Sequence, residues 1–155
     1  MIGHQSSVIV SEASSKGKGV FADRNFKQGE IVIVGKPVEK SPQRTWQTLQ
    51  MDIDIHVRFD EPFELVNHSC EPNCGIKTNE FNGYNLVAMR DIGQGEEITF
   101  DYCMSEWISI AVKNCICQKD NCRGTITGGK FLSSEIIDKY QGFLAPYYER
   151  LIDKV

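Results

Sequence analysis

At 155 residues with 41% hydrophobic side chains, the chain is sized for one domain with a modest core and no second folded unit. Its 17 Lys plus Arg stand against 21 Asp plus Glu, so the field that grips a polyphosphate backbone is missing; direct nucleic-acid binding is not expected, and a basic protein or Lys-rich peptide suits the charge better. No basic segment followed by an apolar stretch opens the chain and no run approaches the roughly 18 apolar residues of a membrane span, so neither a signal peptide nor membrane contact is expected.

A cytoplasmic setting is the expectation, with nuclear or host delivery left open, and in a reducing compartment six cysteines argue for metal or chemistry rather than disulfides. Residues 6–34 alternate short apolar runs, Val8 to Val10, Val20 to Ala22 and Ile31 to Val34, with Gly, Ser and Lys stretches, the pattern of short strands joined by turns. Within them, Ser15-Lys16-Gly17-Lys18-Gly19-Val20-Phe21 carries two glycines that let backbone approach a ligand, although a plain turn is the simpler account. Lys27-Gln28-Gly29-Glu30 reads as a turn feeding a strand, and Gly93-Gln94-Gly95-Glu96 before Ile98-Thr99-Phe100 repeats it. Ser41 before Pro42 predicts a short, weakly amphipathic helix from Pro42 to about Met51. Phe81 to Met89 reads as a hairpin built on the two-residue turn Asn82-Gly83. Near the end, Ser133 or Ser134 caps a helix carrying Ile136, Ile137 and Tyr140 on one face, and a second helical turn covers Tyr147 to Ile152 after Pro146. These two pieces are expected to pack as a lid or brace, and they leave monomer and homodimer equally open.

Cys115, Cys117 and Cys122 place three thiols within eight residues, a loop that could wrap a tetrahedral ion if one more ligand arrived from elsewhere. Cys70 and Cys74 are both candidates for it; the alternative is thiols that are simply buried or free. Four sulfurs would close the coordination sphere, which assigns zinc a structural part and no chemical step. Asn67-His68-Ser69-Cys70-Glu71-Pro72-Asn73-Cys74 concentrates amide, imidazole, hydroxyl and thiol groups in one turn, all ordinary turn formers as well. Gly95-Glu96-Glu97-Ile98-Thr99-Phe100-Asp101-Tyr102 is an apolar strand ending in an aromatic, an acid and a phenol, and such tyrosines are often core-edge residues.

Taken in this order, GKG-VFA, NHSCEPNC, GEEITFDY and CxCxxxxC resemble the signature series of the SET-domain protein lysine methyltransferases with a post-SET zinc segment, over about residues 6–127. The resemblance implies a mostly β fold of small antiparallel sheets with short helices, in which the NHSC and FDY segments form a pseudoknot. It divides the chain into a SET domain (1–110), a zinc-binding post-SET segment (111–127) and a C-terminal helical extension of the same domain (128–155). It implies S-adenosylmethionine as cofactor, with Lys16, Gly17, Lys18 and Gly19 lining the methyl donor, Asn67 and His68 contacting its amino-acid and adenine portions, and Tyr102 as the catalytic tyrosine beside it. Cys70 would join Cys115, Cys117 and Cys122 around zinc, leaving Cys74 and Cys103 as spectators. Phe100 stands where the family carries Phe or Tyr; Phe there removes a hydroxyl and leaves room for a lysine already methylated, while a plain core part fits it equally.

The chemistry is an in-line displacement of a methyl group from a sulfonium by a neutral amine, which needs alignment and exclusion of water more than a strong base. A narrow apolar channel beside a sulfonium disfavours the ammonium form of lysine, so Tyr102 is expected to orient the amine and the methyl group rather than take the proton. Several positions depart from the family's pattern: Ile33 stands where a Tyr usually precedes Gly35, Glu64 where an Arg is common, and Lys18 between the two glycines where an aromatic is usual. Residues 36–60 form a short insert of their own. An active lysine methyltransferase is therefore weighed against a catalytically retired SET fold that only binds a peptide or protein, and against a zinc-based interaction module.

Overall fold

The computed structural model describes residues 7–152 apart from 42, 46 and 111. The first three apolar runs form β1 (Val8–Glu12), β2 (Lys18–Ala22) and β3 (Ile31–Val34), followed by β4 (Pro37–Ser41), β5 (Leu49–Asp52) and β6 (Ile55–Phe59). Beyond them lie β7 (Asn67–His68), β8 (Cys74–Thr78), β9 (Tyr84–Ala88) and β10 (Glu97–Phe100), and then two short helices, α1 (Ser134–Lys139) and α2 (Tyr148–Ile152). Seven strands join in the order β1-β2-β10-β8-β9-β3 with β7 also on β10, and the insert forms a separate antiparallel sheet, β4-β6-β5. Pairing is antiparallel except at β10, which meets β7 and β8 in parallel. The two similar turns do form: Glu30 N–H donates to the Lys27 carbonyl and Glu96 N–H to that of Gly93, with Gly29 and Gly95 at φ +92° and +93°, a conformation that favours glycine.

Two local expectations are corrected. Among the described residues between Ser41 and Met51 there is no helix; Pro42 itself lies outside them, and β5 already begins at Leu49. Side chains take the backbone donors that a helix would need: Gln43 N–H donates to Ser41 Oγ, Thr45 N–H to Thr48 Oγ1 and Gln47 N–H to Thr45 Oγ1. The hairpin exists, but its connection is the five-residue loop 79–83 rather than a two-residue turn, because Thr78 pairs with Tyr84. Asn79 organises it, its Oδ1 accepting from the N–H groups of Phe81 and Gly83.

One core joins both sheets to the C-terminal segment. Phe59, Phe63 and Phe100 meet edge to face, with ring centroids 4.9 and 5.8 Å apart. Ser133 caps α1 as expected, its Oγ accepting from Ile136 N–H. Tyr140, Ala145, Tyr147 and Tyr148 are buried in the same core, and the hydroxyls of Tyr147 and Tyr148 donate to the carbonyls of Ser105 and Cys103. The segment is thus a brace on residues 101–106. A second small cluster packs Cys70, Cys103 and Ile126 beside Cys115, Cys117 and Cys122.

Candidate active site

The parallel joint at β10 builds the site. Asn67 pairs with Thr99 and His68 with Phe100, and Ser69 N–H donates to the Phe100 carbonyl at 3.1 Å, so the two segments expected to meet in a pseudoknot lie side by side. A cleft of about 500 Å³ opens at their junction, within the range of small-molecule sites. Lys16, Lys18, Asn67, His68, Phe100 and Tyr102 all line it. Gln47 and Leu49 of the insert form another side, and Cys115 and Cys117 a third. Gly17 and Gly19 are not on its wall. Gly17 supplies the φ of +78° that turns the chain into β2, and Gly19 is buried, where a Cβ would sit 2.7 Å from Glu97 Oε2 and 2.9 Å from Ala13 Cβ.

Tyr102 follows β10 directly, and its hydroxyl donates to the Val66 carbonyl at 2.7 Å. Burial, then the charges of Glu106 and Glu97, hold the phenol well above its ordinary pKa, so the hydroxyl keeps its proton. Phe100 packs against Tyr102 with centroids 5.0 Å apart, joining the core on one side and the cleft on the other. His68 Nδ1 accepts from Tyr102 N–H at 3.0 Å, although Asp101 Oδ1 lies 3.6 Å from the same nitrogen. The shorter bond needs an unprotonated Nδ1, and burial lowers the His68 pKa to about 4, so the ring is neutral and its contact with Asp101 is no ion pair. Asn67 Nδ2 donates to the Lys18 carbonyl at 3.0 Å and to Glu97 Oε2 at 2.9 Å, while Lys16 Nζ pairs with Glu97 Oε1. A cation, an amide and backbone groups are thereby fixed around one rim of the cleft.

The thiols resolve the choice left open by sequence. The sulfurs of Cys70, Cys115, Cys117 and Cys122 all lie within 4.8 Å of one another. Cys74 is buried in β8, and Cys103 lies by Arg123 Nη2 at 3.6 Å, so neither is in the group. Zinc–sulfur bonds of about 2.3 Å in a tetrahedron require sulfurs about 3.8 Å apart, and Cys70 Sγ and Cys115 Sγ are 3.9 Å apart. Arg123 backbone N–H points at Cys70 Sγ from 3.4 Å, a hydrogen bond that would favour a thiolate there. Burial raises the Cys70 pKa to about 11, whereas at Cys117 burial is outweighed by N–H groups and neighbouring thiols, which bring it down to about 7. These residues fit zinc. Wild type is expected to hold one equivalent of metal after purification and Cys117→Ser to lose it, read by elemental analysis; a full equivalent in the variant counts against the cluster.

Sequence reasoning missed the groups that join these parts. Asp101, fully buried, accepts from Arg123 Nη2 at 2.7 Å, Tyr140 Oη at 2.8 Å and Cys103 N–H at 2.9 Å, tying β10 to the cysteine loop and to the residue that ends α1. Its place within the Phe-Asp-Tyr triplet was a usable signal, as was Arg123 directly after Cys122. Glu106 also lines the cleft, buried, with nothing in Met104-Ser105-Glu106-Trp107 to announce it. Glu64 meets Arg58 Nη1 at 3.6 Å and Gln47 Nε2 at 3.2 Å, while Ile33 is a core residue of β3.

A strand-built domain with a ligand-sized cleft and a four-thiol cluster at its edge is the class that fold and site define. The family model of the SET domain matches residues 17–103, more than half of the chain, and the chain belongs to that family. It is 26% identical over 112 residues to the methyltransferase flvH of Aspergillus flavus, covering 72% of this chain and 61% of that protein. It is 32% identical over 127 residues to an H3 lysine-4 specific histone-lysine N-methyltransferase of Aspergillus fumigatus, covering 68% of this chain and 10% of that one. The chain therefore spans less than two thirds of these curated relatives. Among solved structures, KRYPTONITE in complex with mCHG DNA and SAH superposes with a TM-score of 0.61 at 22% identity, over 77% of this chain and 28% of that one, and carries the fold alone.

Proposed function

We propose that the chain is an S-adenosylmethionine-dependent protein lysine N-methyltransferase acting on a basic protein, a histone among the candidates. The observation that carries this is Tyr102, whose protonated hydroxyl is pinned to the Val66 carbonyl in a cleft shared with Asn67, His68 and Phe100. Support comes from the methyltransferase relatives and from a KRYPTONITE structure holding an H3(1-15) peptide and SAH, the demethylated form of the donor. The cofactor, when bound, supplies a methyl group on a cationic sulfur. Lys16 and Lys18 at the rim suit its carboxylate, while Asn67 and His68 suit its amino-acid and adenine portions. The Tyr102 oxygen and the Val66 carbonyl are acceptors that orient the incoming amine and polarised C–H groups. Phe63, Phe100 and Leu49 give that wall its apolar surface and exclude water. In this reading residues 1–110 form the SET domain, 111–127 the zinc segment over the cleft, and 128–155 an extension of the same domain.

The test is to incubate the protein with labelled S-adenosylmethionine and a panel of histones, ribosomal proteins and Lys-rich peptides, reading methyl-lysine by mass spectrometry. Methyl-lysine formed by wild type and not by Tyr102→Phe is expected. Absence of donor binding would overturn the reading in favour of a retired fold. On the same substrate Phe100→Tyr, which adds a hydroxyl beside Tyr102, is expected to shift products from di- and trimethyl-lysine toward monomethyl-lysine; an unchanged distribution would make Phe100 a packing residue only.

A further inference from the structure

Glu106 is a buried carboxyl that the proposed reaction leaves without a part. It stands one turn beyond Tyr102, its N–H donating to the Tyr102 carbonyl at 2.9 Å, and its side chain lines the same cleft. One oxygen is fully used: Oε2 accepts from Gln50 N–H at 2.8 Å and Ser105 Oγ–H at 2.7 Å. Among the described residues Oε1 accepts no hydrogen bond, and no side-chain cation forms an ion pair with the carboxyl. The charged and titratable groups facing it are Arg44 from the insert, whose Nη1 is spent on the Ile108 carbonyl, and the phenols of Tyr84, Tyr102, Tyr147 and Tyr148. A buried carboxylate with one oxygen locked and the other free on a cleft wall, beside phenols and an Arg44 whose Nη1 is committed to a carbonyl, is built to receive a cation.

We propose that Glu106 recognises the substrate's alkylammonium through Oε1 and accepts its proton. This rests on the lysine methyltransferase reading and gives that site its selectivity for an amine. In the step, one N–H bond of the ammonium breaks and leaves its electron pair on nitrogen, an O–H bond forms at Oε1, and a neutral amine and a neutral carboxylic acid result. The acid returns its proton to solvent after the product leaves. Before an ammonium binds, burial above all raises the Glu106 pKa to about 7, with the two hydrogen bonds and Arg44 opposing it, so the carboxyl is a weak base against a lysine ammonium of about 10.4. An in-line displacement beside a sulfonium needs no strong base, and a carboxyl of this strength is a modest one.

The test needs neither a donor nor a known protein substrate. Protein carrying ¹³C-carboxyl glutamate is titrated at pH 8 with n-butylammonium or with n-butanol, and the Glu106 resonance is assigned by its loss in Glu106→Gln. The expected result is a saturable shift with butylammonium alone and a fall of about one unit or more in the apparent Glu106 pKa. A resonance that does not move, or that moves equally with butanol, overturns the proposal. Gln still offers an oxygen to Gln50 and Ser105, so the variant is expected to fold and to bind S-adenosylhomocysteine as wild type does. Its kcat/KM profile should lose the acidic limb near pH 7; a limb retained overturns the proton-acceptor part. Failure of wild type to bind the donor would sink the methyltransferase reading and leave the butylammonium result standing by itself.

Discussion

Tyr102→Phe is expected to lower kcat for methyl transfer by about 10²–10³-fold, the loss typical when a preorganised polar group at the reacting atoms is removed. The ring keeps its neighbours, Phe100 at 5.0 Å and His68 at 5.2 Å between centroids, so packing survives. What goes is an oxygen whose proton is committed to the Val66 carbonyl and whose lone pairs are therefore turned to other partners. Stability should fall by only about 1 kcal/mol, the value of one hydrogen bond, with a carbonyl left to find another donor. Calorimetric binding of S-adenosylhomocysteine and zinc content should stay near wild type, which separates a lost chemical step from a lost fold. Unchanged turnover would return Tyr102 to the core-edge residue that a strand-terminal tyrosine often is. The phenol itself, held well above its usual pKa, stays protonated across the working range, so pH dependence should come from other groups.

The chemistry was more legible in the sequence than the scaffold, for a reason of range. Thiol spacing and the runs Asn67-His68 and Phe100-Asp101-Tyr102 are local and survive any tertiary arrangement, so the resemblance they carry was readable and implied Cys70 as fourth partner, whereas spacing alone left Cys70 and Cys74 open until the structure set Cys70 beside Cys115, Cys117 and Cys122. Capping of α1 by Ser133 was legible for the same reason. The helix expected after Ser41 was not, because Thr45 and Thr48 bond their own backbone and residues 49–52 are claimed by pairing with β6. Ladder formation is a tertiary fact, and it overrides a cap-like Ser-Pro start. Glu106 was silent because its burial is made by Gln50 from β5 and by tyrosines from the far end of the chain. Val66 was silent because its contribution is a carbonyl, which every residue has. Ile33 and Glu64, departures that weighed toward a retired fold, have ordinary local partners and leave the cleft around Tyr102 intact.

Asp101→Ala is expected to be strongly destabilising, at about 3 kcal/mol, because it strands the partners of an ion pair whose acid is fully buried and whose guanidinium is partly buried. Asp101 is wholly buried, and its removal leaves the Arg123 guanidinium, the Tyr140 hydroxyl and the Cys103 N–H without their acceptor. For a chain of this length a loss of that size lowers the melting temperature by roughly 10 °C, measurable by calorimetry with zinc held in excess. Burial alone does not make the pair favourable, so the informative variant is the double one. Asp101→Asn keeps one acceptor oxygen, which serves Cys103 N–H when the amide NH2 takes the place of Oδ2 beside Tyr140, and it leaves Arg123 charged and unpaired, while Arg123→Leu removes that charge. If the pair acts as a unit, the double variant should be more stable than the sum of the single losses predicts, by a coupling of about 1–3 kcal/mol. Simple additivity would mean that Asp101 works through Tyr140 and Cys103 alone. The same variants report on the cleft, since Asp101 lies between the strand that delivers Tyr102 and the loop that carries three of the four thiols. Zinc affinity falling together with stability in Arg123→Leu would show that the metal cluster and the Tyr102 wall are held by one ion pair.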